Sequence, residues 1–346
     1  MNPLGWDAAW EAARREIDPD TAMVPVRIAA EHRGAYHAMG DGGTAWVELT
    51  GKAYAEARDK RALPTVGDWI LVERWTEALA GSGAATIRHI LPRRSFLVRR
   101  AAGEATVPQP LAANVDTGLV MTSANADLSP ARIDRYVSLL RDGGITPVIV
   151  LSKADLVADP APVASTIQIG VRVIPISVVT GVGLDEIHAL GGPGRTCVLL
   201  GSSGVGKSSL LNALLGTAQE TREIRADARG RHTTTRRELF VAGDGGLWID
   251  TPGMRELAQW IDDGDEVVDA FDDISELASA CRFRDCKHEQ EPGCAVRGKI
   301  TAARLASFHK LAVERHAATA KQDAAQKLAE SRRSRVKKPR RPPDDA

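Results

Sequence analysis

The spacing of apolar residues takes three characters along the chain. Between Asp7 and Ile17 the apolar positions fall on one side of a helix. Asp7, whose short side chain can accept the first unpaired backbone N–H groups, is placed to cap it. From Val24 to about Pro92 the period shortens. Val26–Ala30, Ala45–Leu49, Trp69–Val72 and Thr86–Ile90 read as short strands, broken up by Gly34, Gly40, Gly42, Gly43, Gly67 and Gly83. Several short strands at this spacing predict a small closed barrel, and a five-stranded OB-type barrel fits the length. Such barrels often bind RNA, while a structural β-domain with no ligand explains the pattern equally well. Arg93, Arg94, Arg99 and Arg100 follow at once and favour a polyanionic partner.

From about Asp116 the apolar runs become continuous and alternate with helical stretches. Thr117–Met121, Pro147–Leu151 and Val171–Ile174 read as strands. Pro130–Leu140 reads as a helix capped by Ser129 and ended by Gly143 and Gly144, and Leu184–Leu190 as a shorter one. Unbroken apolar strands need cover on both faces, so this region predicts a parallel sheet between two layers of helices.

Composition narrows the class. The 346 residues are 43% hydrophobic, enough for two or three domains with ordinary cores. No apolar run approaches the roughly 20 residues a membrane helix needs, and Met1–Asp7 lacks the basic-then-apolar shape of a secretion signal. The expectation is a cytoplasmic protein with no membrane partner. Four cysteines in that compartment suggest metal or thiols before disulfides. The 45 basic and 45 acidic residues cancel, yet they are unevenly placed. Glu256–Glu276 carries nine acids and no Lys or Arg, whereas Cys281–Pro343 carries seventeen Lys and Arg against six acids. Such a basic end is a candidate nucleic-acid footprint, or a solvated helical surface with a disordered tail.

The strongest local chemistry is Gly201-Ser202-Ser203-Gly204-Val205-Gly206-Lys207-Ser208, preceded by the apolar run Thr196–Leu200 and followed by helical Ser209–Leu215. Strand, glycine loop and helix form the setting in which this spacing cradles phosphates. Residues Gly201 through Ser209 would aim backbone N–H groups and a helix N-terminus at the phosphates. Lys207 would reach the β- and γ-phosphates, and the Ser208 hydroxyl would hold Mg²⁺. Ser152-Lys153-Ala154-Asp155 follows a strand and approximates the sequence with which GTPases read guanine. The Asp155 carboxylate can accept two N–H bonds that adenine cannot offer, and the Lys153 stem can lie over a purine face. The loop beginning Ser177-Val178 resembles the one whose backbone N–H meets the guanine carbonyl. Downstream, Gly230–Thr235 is a candidate switch loop in which Thr233 or Thr234 would complete the Mg²⁺ shell. Asp250 and Gly253, after an apolar strand, suit the Mg²⁺-linked acid and the γ-phosphate contact. Met254 stands where many GTPases have a water-orienting Gln, so His232 becomes the candidate catalytic group. The base-reading motifs precede the phosphate motifs, which is a circularly permuted order.

Cys281-x₄-Cys286-x-His288-x₅-Cys294 places three thiols and an imidazole within fourteen residues, the ligand set of one closed structural Zn²⁺ site. The chain thus divides into an N-terminal extension (1–23), an OB-type barrel (24–104), a permuted GTPase domain (105–275), a zinc-binding helical domain (276–330) and a basic disordered tail (331–346).

Together these segments resemble the circularly permuted ribosome-assembly GTPases of the RsgA (YjeQ, EngC) family. The likeness spans about Val24 to Glu314 and includes Thr65–Trp69 and Gln109–Asp116. It implies a GTP hydrolase with Mg²⁺ and one Zn²⁺, expected as a monomer. It implies binding of the small ribosomal subunit and its 16S rRNA late in maturation, with hydrolysis stimulated by the subunit and coupled to release. A protein that binds RNA and uses GTP as a slow latch is the competing reading, and a P-loop ATPase or kinase a third. Ser152 stands where the family usually has Asn, which shortens one side-chain contact near the base.

Overall fold

The computed structural model describes residues 3–32, 34–100, 108–123, 128–162, 170–202, 204–216, 237–251, 271–302, 304–310 and 313. The expectations for Ser203, His232, Thr233, Thr234 and Gly253, and for the tail from 331, lie outside these residues.

Helix α1 (Ala8–Ile17) opens the described chain, with Asp7 accepting the N–H groups of Ala9 and Trp10 at 3.0 Å each. The sequence left open whether this segment packs or hangs clear. It packs: Trp10 is buried, and Trp6 meets Trp69 edge-on with ring centroids 4.8 Å apart. Arg94 locks the arrangement by holding the Asp7 carboxylate through both terminal nitrogens.

Five strands then close a barrel: β1 (Val24–His32), β2 (Ala35–Gly40), β3 (Gly43–Leu49), β4 (Trp69–Glu73) and β5 (Ala85–Ile90), with the short helices α2 (Gly51–Glu56) and α3 (Trp75–Leu79) in its connections. Their order is β1-β2-β3-β5-β4, and β4 returns to β1. Only the β3–β5 pairing is parallel. Alternation sorts the side chains: Ile70 and Val72 point into the barrel with Val26, Ile28 and Val47, while Trp69 and Leu71 face the core shared with α1. Strand β2 was not foreseen. A Cβ on Gly40, its last residue, would stand 2.6 Å from Val26 and 3.0 Å from the Trp75 ring, so this glycine serves packing.

A two-stranded link, β6 (Phe96–Arg100) with β7 (Pro108–Ala113), leads into the second sheet. That sheet comprises β8 (Thr117–Ser123), β9 (Thr146–Ser152), β10 (Val173–Pro175), β11 (Thr196–Gly201), β12 (Glu238–Val241) and β13 (Leu247–Asp250), ordered β10-β9-β8-β11-β13-β12. All neighbours are parallel except β12, which runs antiparallel to β13 and pairs Glu238 with Ala30 of the barrel. Period-two alternation splits the sheet's side chains between two cores. Val198 and Leu200 join α4 (Pro130–Asp142) on one face; Cys197 and Leu199 join α5 (Leu184–Leu190) and α6 (Lys207–Leu214) on the other. Gly118 lets α4 approach, since a Cβ there would meet Leu140 at 2.2 Å. A last helix, α7 (Asp272–Ala278), precedes the cysteine-rich segment. No helix among the described residues is long and apolar enough to cross a membrane.

Candidate nucleotide site and metal centre

Every described motif predicted to touch nucleotide sits at one edge of the parallel sheet, beyond the carboxyl ends of its strands. Register shows this directly: Gly201 pairs with Met121, Leu199 with Asp250, Ser123 with Ser152, and Leu151 with Pro175. In open α/β sheets this edge is where ligands bind.

The glycine loop has the backbone its sequence demands. Gly201, Gly204 and Gly206 have φ of +147°, +81° and +108°, conformations that residues with a Cβ rarely adopt. Gly201 has no space for one, because a Cβ would stand 2.6 Å from the Met121 carbonyl oxygen. Gly206 caps α6, so the loop opens onto a helix N-terminus that carries Lys207, Ser208 and Ser209. Val205 is buried beneath the loop, and Ser202 is half-buried beside it. The Lys207 ammonium is nearly enclosed and donates to the carbonyl oxygens of Gly201 and Ser202, both at 2.8 Å. Burial lowers its pKa, and the nearby Asp250 carboxylate works against that shift. The loop is thus preshaped, its lysine held within it by carbonyls that phosphate oxygens can replace.

Ser152 ends β9 and is buried. Its Oγ lies 2.7 Å from the Val205 carbonyl oxygen and 3.1 Å from that of Thr122. The serine faces the glycine loop, so the residue expected to contact the base is a tie between the two loops. Lys153 adopts φ +58° and donates to the Gly204 carbonyl at 3.2 Å, which stretches its apolar stem along the side of the cleft. Asp155 is exposed in the single helical turn Ala154–Leu156. The Ala154 N–H bonds the Ile176 carbonyl at 3.0 Å, and this brings the Ser177 loop alongside. There Ser177 is buried and accepts the Thr180 N–H at 3.2 Å, with Val178 at the surface. Asp250 is buried at the end of β13, and the next residue, Thr251, donates to the Leu199 carbonyl at 2.6 Å. Nothing in the sequence pointed to Thr251 or Thr122 as anchors, because Thr251 donates to a backbone carbonyl far away in the chain and Thr122 accepts a distant serine hydroxyl through its own carbonyl.

The arginine run after the barrel is used differently from the expectation of a polyanion contact. Arg93 is bidentate to buried Asp68 at 2.8 and 2.7 Å, and it reaches the carbonyls of Arg61 and Leu63. It also lies 3.9 Å over the Phe96 ring. Burial pushes the Asp68 carboxyl up, with Arg93 opposing. Since Arg94 holds Asp7, at least half of that run serves folding. The two segments Thr65–Trp69 and Gln109–Asp116 prove to be two sides of one joint. Gly67, at φ +92°, receives the Asn114 amide at 3.1 Å, and a Cβ on it would lie 2.1 Å from the Ala113 carbonyl oxygen.

The cysteine-rich segment gathers its four predicted ligands. One donor atom each from Cys281, Cys286, His288 and Cys294 lies within 4.8 Å of all the others. His288 Nδ1 is 3.6 Å from Cys281 Sγ and 3.5 Å from Cys294 Sγ. A tetrahedron with Zn–S of about 2.3 Å and Zn–N of about 2.0–2.1 Å has an S···N edge of about 3.6 Å. The N–H groups of Ala295 and Arg297 point at the Cys281 and Cys294 sulfurs, as thiolate ligands require. Donor set and spacing fit Zn²⁺. Cys197, by contrast, is buried in β11, and burial pushes its thiol up to about 12.

Comparison with known proteins decides the family. A family model described as RsgA GTPase matches residues 90–260. The small ribosomal subunit biogenesis GTPase RsgA of Opitutus terrae is 40% identical over 98% of this chain and 95% of its own length. This chain belongs to the RsgA GTPase family. Its Streptomyces coelicolor relative of the same name is 39% identical over 94% of this chain and 89% of its own. Among solved structures, YloQ, a circularly permuted GTPase, covers 85% of this chain and 95% of itself at 25% identity, with a TM-score of 0.58. YjeQ from Thermotoga maritima shares the fold at 24% identity over 84% and 97% of the two chains, with a TM-score of 0.62. As an RsgA GTPase, the protein hydrolyses GTP.

Proposed function

We propose that this RsgA-type GTPase is a late assembly factor of the small ribosomal subunit, binding the subunit and its 16S rRNA and leaving on GTP hydrolysis. The observation that carries the reading is the convergence of the glycine loop, Ser152–Asp155, the Ser177 loop and Asp250 on one sheet edge, in a chain whose relatives bear that name over nearly their full length. Lys207 and the loop N–H groups would hold the β- and γ-phosphates, Ser208 and one of Thr233 or Thr234 the Mg²⁺, and Gly253 the γ-phosphate. Asp155 and the Ser177–Val178 backbone would read guanine. His232 would act on the attacking water, since phosphoryl transfer needs chiefly positioning and charge stabilisation. Zn²⁺ held by Cys281, Cys286, His288 and Cys294 would be structural. The protein would work as a cytoplasmic monomer, with the basic tail adding electrostatic affinity for RNA.

The test is GTP turnover by the full chain alone, with small subunits, and with large subunits. Stimulation by small subunits only is expected, and His232→Ala should lose most of it while GTP affinity stays within about tenfold. A slow rate indifferent to either subunit would instead make the nucleotide a latch.

A further inference from the structure

A second concave site lies at the opposite edge of the sheet, where the strands of the GTPase core begin. Here the N-terminal segment, the barrel and the sheet frame an open cavity of about 780 Å³, within the size range of small-ligand sites. Trp6 and Trp69 belong to its aromatic wall, and Arg27, Arg94, Arg195, Asp7 and Asp116 supply its charges.

Arg27 is the unusual member. Its guanidinium is fully buried and donates to the carbonyls of Gly67 at 3.1 Å, Leu4 at 2.7 Å and Asn114 at 3.0 Å, and to Thr196 Oγ1 at 2.9 Å. All four acceptors are neutral, and no carboxylate stands within ion-pair distance of it among the described residues. Burying a cation with only the more distant carboxylates of Asp116 and Asp68 and the Trp69 ring to offset it is costly, and these acceptors engage four of the five N–H donors of the guanidinium. Arg195, two-thirds exposed, reaches Asp116 only at 3.9 Å, a separation at which a surface pair contributes little. Three guanidinium groups against Asp7 and Asp116 leave the lining net positive. Trp6 is half-buried, stacked on Trp10 and set edge-on to Trp69, so only the part of its ring left exposed can meet a planar ligand.

We infer that this cavity binds a nucleoside phosphate, its base against Trp6 and its phosphate on Arg195, with buried Arg27 adding positive charge from within the wall. Two sources offer that chemistry: a free mononucleotide, or one nucleotide of a single-stranded RNA. The site is distinct from the nucleotide cleft and is linked to it through one strand. Thr196, which accepts from Arg27 and donates its N–H to Asp116 at 2.7 Å, begins the strand that ends in Gly201.

The test uses the full chain saturated with GDP, so that the cleft is filled, and titrates AMP and, separately, a single-stranded hexa-adenylate, read by tryptophan fluorescence and calorimetry. Saturable binding of at least one probe is expected, with Arg195→Glu and Trp6→Ala each weakening it at least tenfold. GDP affinity and zinc content, measured on the same preparations, should not change in the variants. Tight AMP binding assigns a free nucleotide; binding of the oligonucleotide alone assigns RNA. No binding of either probe, or binding that Arg195→Glu leaves intact, overturns the inference. Loss of GDP affinity in the native protein would instead count against the GTPase reading.

Discussion

Arg304 Nη1 stands 3.0 Å from Asp134 Oδ1, both side chains buried, although the residues are 170 apart in sequence. The contact fastens the segment after the cysteine cluster to α4 of the GTPase core. Arg304 simultaneously holds Asp273 at 2.7 and 2.6 Å and lies 4.7 Å over the Phe271 ring. Burial pushes the Asp134 carboxyl up to about 6, and the pairing with Arg304 opposes that shift. Removing the arginine would leave the carboxylate buried without its partner, which costs about 3–5 kcal/mol. Arg304→Met should therefore destabilise the protein by about 3 kcal/mol in urea unfolding. Adding Asp134→Asn should recover part of the loss, because no unpaired charge then remains inside. A single variant as stable as the native protein would show that the clasp is idle.

The ion pair between Asp7 and Arg94 can be tested apart from the helix cap. Arg94 holds the Asp7 carboxyl down at about 2, from an ordinary 3.8. A depressed carboxylate contributes stability that is present above the ordinary value and fades as pH falls from about 4 towards 2. Asn caps helices as well as Asp does, so Asp7→Asn removes the pair and keeps the cap. Both side chains are about half exposed, so the expected loss is under about 1 kcal/mol. It should shrink at high salt and vanish near pH 2. A loss of the same size at pH 2 would show that the ion pair with Arg94 is not its source.

The sequence disclosed what is local. The glycine loop and the cysteine cluster each lie within a few residues of themselves, so spacing alone specifies their chemistry. The barrel was legible through alternation, except for β2, a short run between glycines that alternation does not mark as a strand. Joints built from distant partners were not legible. Arg27 looks like an outward-facing strand residue, yet it gathers acceptors 23, 40, 87 and 169 positions away. The same blindness made Arg93 look like an RNA contact, since its partner Asp68 sits in another strand's approach.

For the metal centre, one zinc per chain is expected by elemental analysis. The segment around Cys281–Cys294 has few buried apolar side chains of its own beyond Val296, so ligand binding must supply much of its folding free energy. Cys286→Ala should lose the zinc and open this segment to protease while the GTPase core still binds GDP. Retention of full protease resistance in zinc-free protein would make the metal dispensable.

The tie between Ser152 and Val205 separates loop positioning from base reading. A hydroxyl has one hydrogen, so Ser152 can serve the Val205 carbonyl at 2.7 Å or that of Thr122 at 3.1 Å, but not both fully. Ser152→Ala leaves the Val205 carbonyl without that donor, a net loss of about 1 kcal/mol. Because the carbonyl belongs to the phosphate loop, GDP affinity should fall about fivefold. An asparagine amide carries two hydrogens and could serve both carbonyls, so Ser152→Asn should bind GDP more tightly than the native protein. Inosine diphosphate supplies the control, since it lacks the exocyclic amine that Asp155 is proposed to bind. If Ser152 acts by holding the loop, Ser152→Ala should weaken GDP and inosine diphosphate by the same factor in calorimetric titrations, whereas Asp155→Asn should narrow the difference between them. A Ser152→Ala variant that changes the ratio of the two affinities would place this serine in base recognition instead.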